Sequence, residues 1–448
     1  MERGNAIHNT GWLIVGSLAR MAIQLAVGVI SARFLGPTNY GTLNYVGSYI
    51  SLFSVICELG LTITIVNEFV TKQEKDGTII GSAIFLRSVA ACISTILLMC
   101  ITQVTDPGDS VVFYVLVIRS LGLLFDSVNT INCWFQSKLQ SKYTTLYELI
   151  AYLFSAIYKV IILVLHKNIY WFAAASTLDQ LLIATLLFLG YKTKSDKSSG
   201  RLRVSFTVCR NLIIQGIPFI LSGIMVYLYG HTDRIMIKIM INQTAVGYYS
   251  CAAQIGAMIG FIPLAIINSG KTIIMEKKNI SEVQYNLRLR QTLAAVLWIM
   301  NAYSIFLLLF GKYVIWVLYG KQYLEADGPL KVLIWSYGFS YVGTIRNIWL
   351  ICENKRKYAT VFSAFGSIAN ITLNLFLIPV HGIVGAAIAT LLTQIITSFL
   401  GPLVFKDTRA FSIQLLKAYL CREIQLKDLI IYGKKKMMSL CKTNVDSR

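Results

Sequence analysis

Charge is scarce in this chain: 14% of its 448 residues are charged, against roughly 25% in soluble domains. Set beside 56% hydrophobic residues, that shortage excludes an ordinary soluble globular domain. Acidic residues are rarer than basic ones, 21 against 41. Histidine occurs four times, in scattered places, and none of the nine cysteines forms a Cys-x-x-Cys pair. The usual signatures of metal and redox sites are therefore missing. Cys57, Cys92, Cys100 and Cys251 sit inside apolar runs, where a free thiol behaves as a small apolar side chain. No metal, cofactor or disulfide framework is expected. A cleavable signal peptide is not visible either, because the first apolar run, Gly11 to Leu35, is too long for a signal core and lacks a small-residue cleavage site.

What the chain does have is long apolar runs, one after another. About 20 such residues span a bilayer as a helix. Twelve spans are predicted: 11–35, 40–65, 78–103, 110–131, 143–165, 169–191, 211–232, 245–270, 291–311, 328–351, 358–379 and 382–404. The fold class is an all-α polytopic membrane protein. "GPTN" (36–39) is too short for a linker and reads as a tight hairpin between spans one and two, with Gly and Pro as breakers.

The net charge of +20 follows the membrane rule that Lys and Arg gather in cytoplasmic loops, so no nucleic-acid partner is expected. "EFVTKQEKDG", "CWFQSKLQSK", "KTKSDKSSGRLRVSFTVCR", "KTIIMEKKNISEVQYNLRLR" and "ENKRK" alternate with the basic-poor "GPTN", "VTDPGD", "HKN" and "VH". This bias predicts that both termini are cytoplasmic. The tail from 406 to 448 is basic, with Phe411, Leu415 and Tyr419 at helical spacing beside Lys417, Arg422, Lys427 and Lys434–Lys436. It reads as an amphipathic helix on the anionic inner leaflet.

The longest basic loop, Lys192 to Arg210, separates six spans from six and suggests an internal repeat. Lys142-Tyr143 and Lys357-Tyr358 lie 215 positions apart, as do His166 and His381. "NYGTLNY" (39–45) aligns more weakly with "AVGYYSC" (245–251), chiefly at Gly41 and Gly247. An even number of spans gives both halves the same orientation. The expected architecture is therefore two six-helix bundles, residues 1–200 and 201–405, related by a pseudo-two-fold axis along the membrane normal, with substrate bound between them.

Ionisable residues within spans cost about 2.5–3.5 kcal/mol on insertion scales and usually face a cavity. The basic ones are Arg20, Arg33, Arg87, Arg119 and Lys159; the acidic ones are Glu58, Asp126, Glu148 and Asp179. All nine lie in the first half. The second half offers Lys331, Arg346 and an edge cluster of His231, Asp233 and Arg234. Arg33, Glu58 and Glu148 are close enough to a span end to snorkel. Arg119 and Asp126 share one helix face, as do Arg20 and Gln24. A cationic cavity binding an anion is one reading, with Arg20, Arg87, Arg119, Lys159 and Arg33 as substrate-binding candidates. Internal ion pairs that merely hold helices together, such as Arg119 with Asp179, are the other. A diphosphate would suit the cavity, because guanidinium groups bind phosphate oxygens in a bidentate way. Asp126 and Asp179 are candidates for coupling to an ion.

Three stretches resemble a known family: "ARFLGPTNYGTLNYVGSYISLFSVICELGL" from Ala32, "HTDRIMIKIMINQTAVGYYSCAAQI" from His231 and "NLFLIPVHGIVGAAIATLLTQ" from Asn374. In this order they are similar to Wzx-type polysaccharide flippases of the multidrug, oligosaccharidyl-lipid and polysaccharide exporter superfamily, over residues from about 8 to 405. The resemblance implies two bundles in a V, alternating access, and an ion gradient as driving force. It implies transport of an undecaprenyl-diphosphate-linked oligosaccharide across the bacterial inner membrane for surface polysaccharide such as O-antigen. A polysaccharide polymerase and a chain-length regulator are implied as partners. The tail from Thr408 does not match the extra lipid-facing helix pair of lipid II flippases in the same superfamily. The nearest alternative is a MATE-like exporter of cationic drugs, which should carry acids in its cavity; span one has none. A membrane enzyme of polysaccharide synthesis would need a sizeable loop with acid–base residues, and only "YGKQYLEADG" (319–328) has any length. A channel would repeat its polar rings in each half.

Overall fold

The computed structural model describes residues 2–71, 75–195 and 201–420; the side chains of 2–22, Gln24 and a few others lie outside that description. Among the described residues every regular element is helical. They make twelve passes. Spans one to six are 2–35, then 37–58 continued by Leu61–Thr71, Asp76–Thr105, Ser110–Asp126 continued by Thr130–Ser137, Ser141–Val164 and Ile169–Lys194. Spans seven to twelve are Phe206–Met240, then Gln243–Gly256 bent by 49° into Phe261–Lys278, Glu282–Tyr319, Asp327–Cys352, 357–381 and 383–404. Six helical stretches, or seven with the bent pair, are individually long and apolar enough to cross a membrane. One of them, Lys357–Val404, is 48 residues long and folds back at Gly382.

The two hairpins are built alike. Gly36 (φ 73°, ψ 170°) and Gly382 (φ 57°, ψ −138°) break otherwise continuous helices. Both conformations are closed to residues with a Cβ. Pro37, whose ring presets a helical φ and whose missing N–H costs nothing at a helix start, then begins span two.

The internal repeat is visible in backbone detail. Leu139 (φ 55°) and Asn354 (φ 56°), 215 positions apart, end their helices in the same turn. The N–H of Gln140 reaches the Phe135 carbonyl at 2.8 Å, and that of Lys355 reaches Leu350 at 2.8 Å. Near the other end the separation is 206: the hydroxyls of Thr38 and Thr244 meet at 2.8 Å. A Cβ on Gly41 would lie 1.8 Å from the Gln243 carbonyl oxygen, and one on Gly247 would lie 2.0 Å from that of Pro37. These contacts are reciprocal, as a two-fold relation requires. The faint sequence echo at Gly41 and Gly247 is therefore the crossing point of spans two and eight, where only glycines let two backbones touch. The separation grows from 206 to about 215 because span nine has 38 residues and span three has 30.

The core divides along the membrane normal. At the end remote from the basic loops, called the far end below, one buried cluster draws on both halves, from Ala32, Tyr45 and Leu116 to Tyr249, Tyr323 and Ile334. Toward the basic end it splits in two, one cluster centred on Leu293, Val342 and Trp349 and another on Ile79, Phe135 and Leu187. The second of these also takes Val208 and Leu212 from the start of span seven.

Span seven runs to Met240 rather than ending at 232. Nothing in "HTDRIMIKIM" breaks a helix, and Asn242 caps the next one by accepting the Ala245 N–H at 2.9 Å. His231, Asp233 and Arg234 therefore lie within a helix, not at its edge. Helix Arg409–Leu420 is present, but Phe411 and Leu415 are buried against the bundle, with Phe411 5.8 Å from Trp349. Ile413, Leu416 and Tyr419 are its exposed apolar residues. Arg422, Lys427 and Lys434–Lys436 lie outside the described residues.

Candidate functional site

Among the described residues, buried polar groups lie inside the membrane-spanning region in both halves. In the first half, Arg87 pairs with Asp126 at 2.8 Å and donates to the Thr130 hydroxyl at 3.3 Å. Arg119, from the middle of span four, donates to the Leu43 carbonyl of span two at 2.5 Å. A Cβ on Gly47 would lie 3.0 Å from its Nη1, so that glycine makes room for the guanidinium. Asp179, 9% exposed, sits within electrostatic range of Lys159, and Lys159 within range of Arg119. Arg119, Lys159 and Asp179 thus share one charged region, whereas Asp126 faces Arg87. Arg33 is exposed at the far end, its side chain over Gly320. The side chains of Arg20 and Gln24 lie outside the described residues.

The second half holds the more completely bonded group. Asp233 is 3% exposed, and its carboxylate accepts hydrogen bonds from three other spans. Tyr249 donates at 2.5 Å, Thr390 at 2.6 Å and Asn374 at 2.7 Å. Asn374 Nδ2 also reaches Asn370 Oδ1 at 3.1 Å, leaving Asn374 Oδ1 and Asn370 Nδ2 buried without a partner. The next residue, Arg234, bonds Ser250 at 3.2 Å and His231 at 3.1 Å, and His231 stacks on Tyr227 at 4.5 Å. Asp233, Arg234, Tyr249, Tyr337 and Gln394 line a cavity of about 290 Å³. Among the described residues no group of three or more His, Cys, Asp or Glu side chains could hold a metal. A single carboxylate among hydroxyl and amide oxygens suits a proton or a hard cation rather than a transition metal.

The sequence reading named His231, Asp233 and Arg234 only as an edge cluster and missed the partners of Asp233. The group's members lie inside the stretches that carry the family resemblance, Asp233 and Tyr249 in one and Asn374 and Thr390 in another. Ending span seven eight residues early put Asp233 at a membrane edge, where a charge reads as interfacial.

Comparison with known proteins agrees with this architecture. A family described as polysaccharide biosynthesis protein matches residues 6–269. A Shigella flexneri protein assigned as an O-antigen transporter is 21% identical over 224 residues, covering 49% of this chain and 52% of that protein; the chain thus aligns with about half the length of this relative. The lipid II flippase MurJ in an inward closed conformation superposes with a TM-score of 0.71 at 15% identity, over 91% of this chain and 92% of MurJ. An inward-facing multidrug MATE transporter gives 0.68 at 13% identity, over 89% of this chain and 96% of its own. The fold is thus the one shared by these exporters, and the family match covers more than half of the chain: the protein is a polytopic membrane protein of the polysaccharide biosynthesis family.

Proposed function

We propose that the protein is a flippase that moves an undecaprenyl-diphosphate-linked oligosaccharide from the cytoplasmic to the outer leaflet of the bacterial inner membrane, with both termini cytoplasmic. The fold alone does not choose between lipid-linked glycan and drug, since TM-scores of 0.71 and 0.68 barely differ. The observation that carries the reading is the family match over residues 6–269, which contains all the first-half charges. Arg119 and Lys159 are the groups we assign to the diphosphate, with Arg20 on the same half. Arg87 faces Asp126, which points to a role in holding spans three and four together. The cation or proton that drives transport is assigned to Asp233, with Asp179 as the first-half candidate. An ion that binds only one of two arrangements of the halves shifts the equilibrium between them by its difference in affinity.

In this scheme alternating access is rocking of the halves about the crossing of Gly41 and Gly247. The shared core at the far end and the divided cores at the basic end fit a protein closed toward the outside. Depletion in its host tests the reading. Lipid-linked repeat units should accumulate and surface glycan should fall; unchanged glycan and precursors would reject it.

A further inference from the structure

The far end is closed by two arms that the internal repeat makes equivalent. One joins the end of span three to the end of span seven; the other joins the end of span nine to the end of span one. Ala32 and Lys238 are related by the same separation of 206 as Thr38 and Thr244, and the ends of spans three and nine, Thr105 and Tyr319, also correspond. Their chemistry differs. In the first arm Lys238 pairs with Asp106, whose side chain is wholly buried. Asp106 also accepts from the Tyr45 and Thr105 hydroxyls at 2.8 Å each, Lys238 lies 5.2 Å over the Tyr45 ring, and Gln243 donates to the Asp109 carboxylate at 2.7 Å. In the second arm neutral side chains meet backbone carbonyls: Tyr323 donates to Ala32 at 2.7 Å and Gln322 to Arg33 at 2.9 Å.

Hydrogen bonds to ionised groups are about twice as strong as neutral ones, and the first arm is crossed by Lys238 to Asp106 and Gln243 to Asp109 where the second is crossed by neutral donors on carbonyls. The first arm is therefore the costlier of the two to part. We propose that the far end opens as a hinge: the arm between spans one and nine parts, while the arm between spans three and seven stays closed, held by Lys238 and Asp106. This rests on the alternating-access reading above and adds a direction to it. The Thr38–Thr244 contact, made between repeat-related residues, places the pivot between the arms.

Spin-label distances in lipid nanodiscs test this without substrate, so the result does not depend on whether the protein flips lipid. Labels go on exposed positions in a background lacking the native cysteines, Ile30→Cys with Lys321→Cys for one arm and Gln103→Cys with Ile241→Cys for the other. The first pair should give a broad or two-peaked distribution and the second a single narrow one. Asp106→Asn should broaden the second, raising its open-to-closed ratio roughly tenfold or more. Equal widths at the two arms, or a second arm unmoved by Asp106→Asn, would overturn the hinge. A protein that shows the hinge yet moves no lipid-linked glycan would instead reject the flippase reading.

Discussion

Asp233→Asn separates the fold from the transport cycle. The carboxylate holds three donors from three spans at 2.5–2.7 Å, each bond to a charged group contributing about 1.5–3 kcal/mol. Asp233→Ala would strand a phenol, a hydroxyl and an amide in a buried site, at a cost on the order of 3–5 kcal/mol, and the protein would be lost with its activity. Asparagine keeps the shape. Its oxygen still accepts from Asn374, while its new NH₂ group faces two hydroxyls able to accept. Thr390 can turn its proton fully to the Ala386 carbonyl, which it already reaches at 3.0 Å. The expected folding loss is about 1 kcal/mol, a shift of a few degrees in thermal unfolding of the purified protein. The site nevertheless loses its negative charge, and with it the cation or proton. Surface glycan restored to a deletion strain should fall more than tenfold at equal protein level. Normal glycan in that strain would refute the assignment of the driving ion, and a collapse in thermal stability would assign the carboxylate to folding instead.

Gly247→Ala should lower stability by about 3 kcal/mol, since its Cβ would be driven to 2.0 Å from the Pro37 carbonyl. In the parent, Thr38→Cys with Thr244→Cys should form a disulfide, and Gly247→Ala should abolish it. Arg119→Ala should cut glycan export at least tenfold while leaving expression unchanged; normal export would remove Arg119 from the substrate site. Leu139→Gly should raise stability by about 0.5–1 kcal/mol, read as a higher unfolding temperature, because a leucine at φ 55° carries left-handed strain that glycine relieves.

Membrane insertion and the number of passes were legible in the sequence because both depend on composition over some 20 residues. The hairpin at Gly36 was legible because Gly-Pro is a local signal. The repeat was legible only as traces, for a physical reason: two apolar halves in lipid need few particular residues to pack, so identity survives only where backbone geometry demands it. Gly41 and Gly247 are such a place. The Asp233 group was hidden because its four contributors come from four spans and no short spacing links them. Only its members' presence in the family-like stretches hinted at it. The pairing of Arg87 with Asp126, rather than Arg119 with Asp179, rests on helix rotations that periodicity does not set. The tail helix showed the converse: its apolar spacing was correct, but Phe411 and Leu415 turn toward the bundle because Trp349 and its neighbours offer a dry surface there.

The measurement closest to the central claim is the sidedness of lipid-linked oligosaccharide in membrane vesicles. With the protein present and an ion gradient applied, a labelled undecaprenyl-diphosphate-linked repeat unit should move from the leaflet facing the basic loops to the opposite one. Without the protein, or with Asp233→Asn, it should stay. An identical distribution with and without the protein would contradict the account.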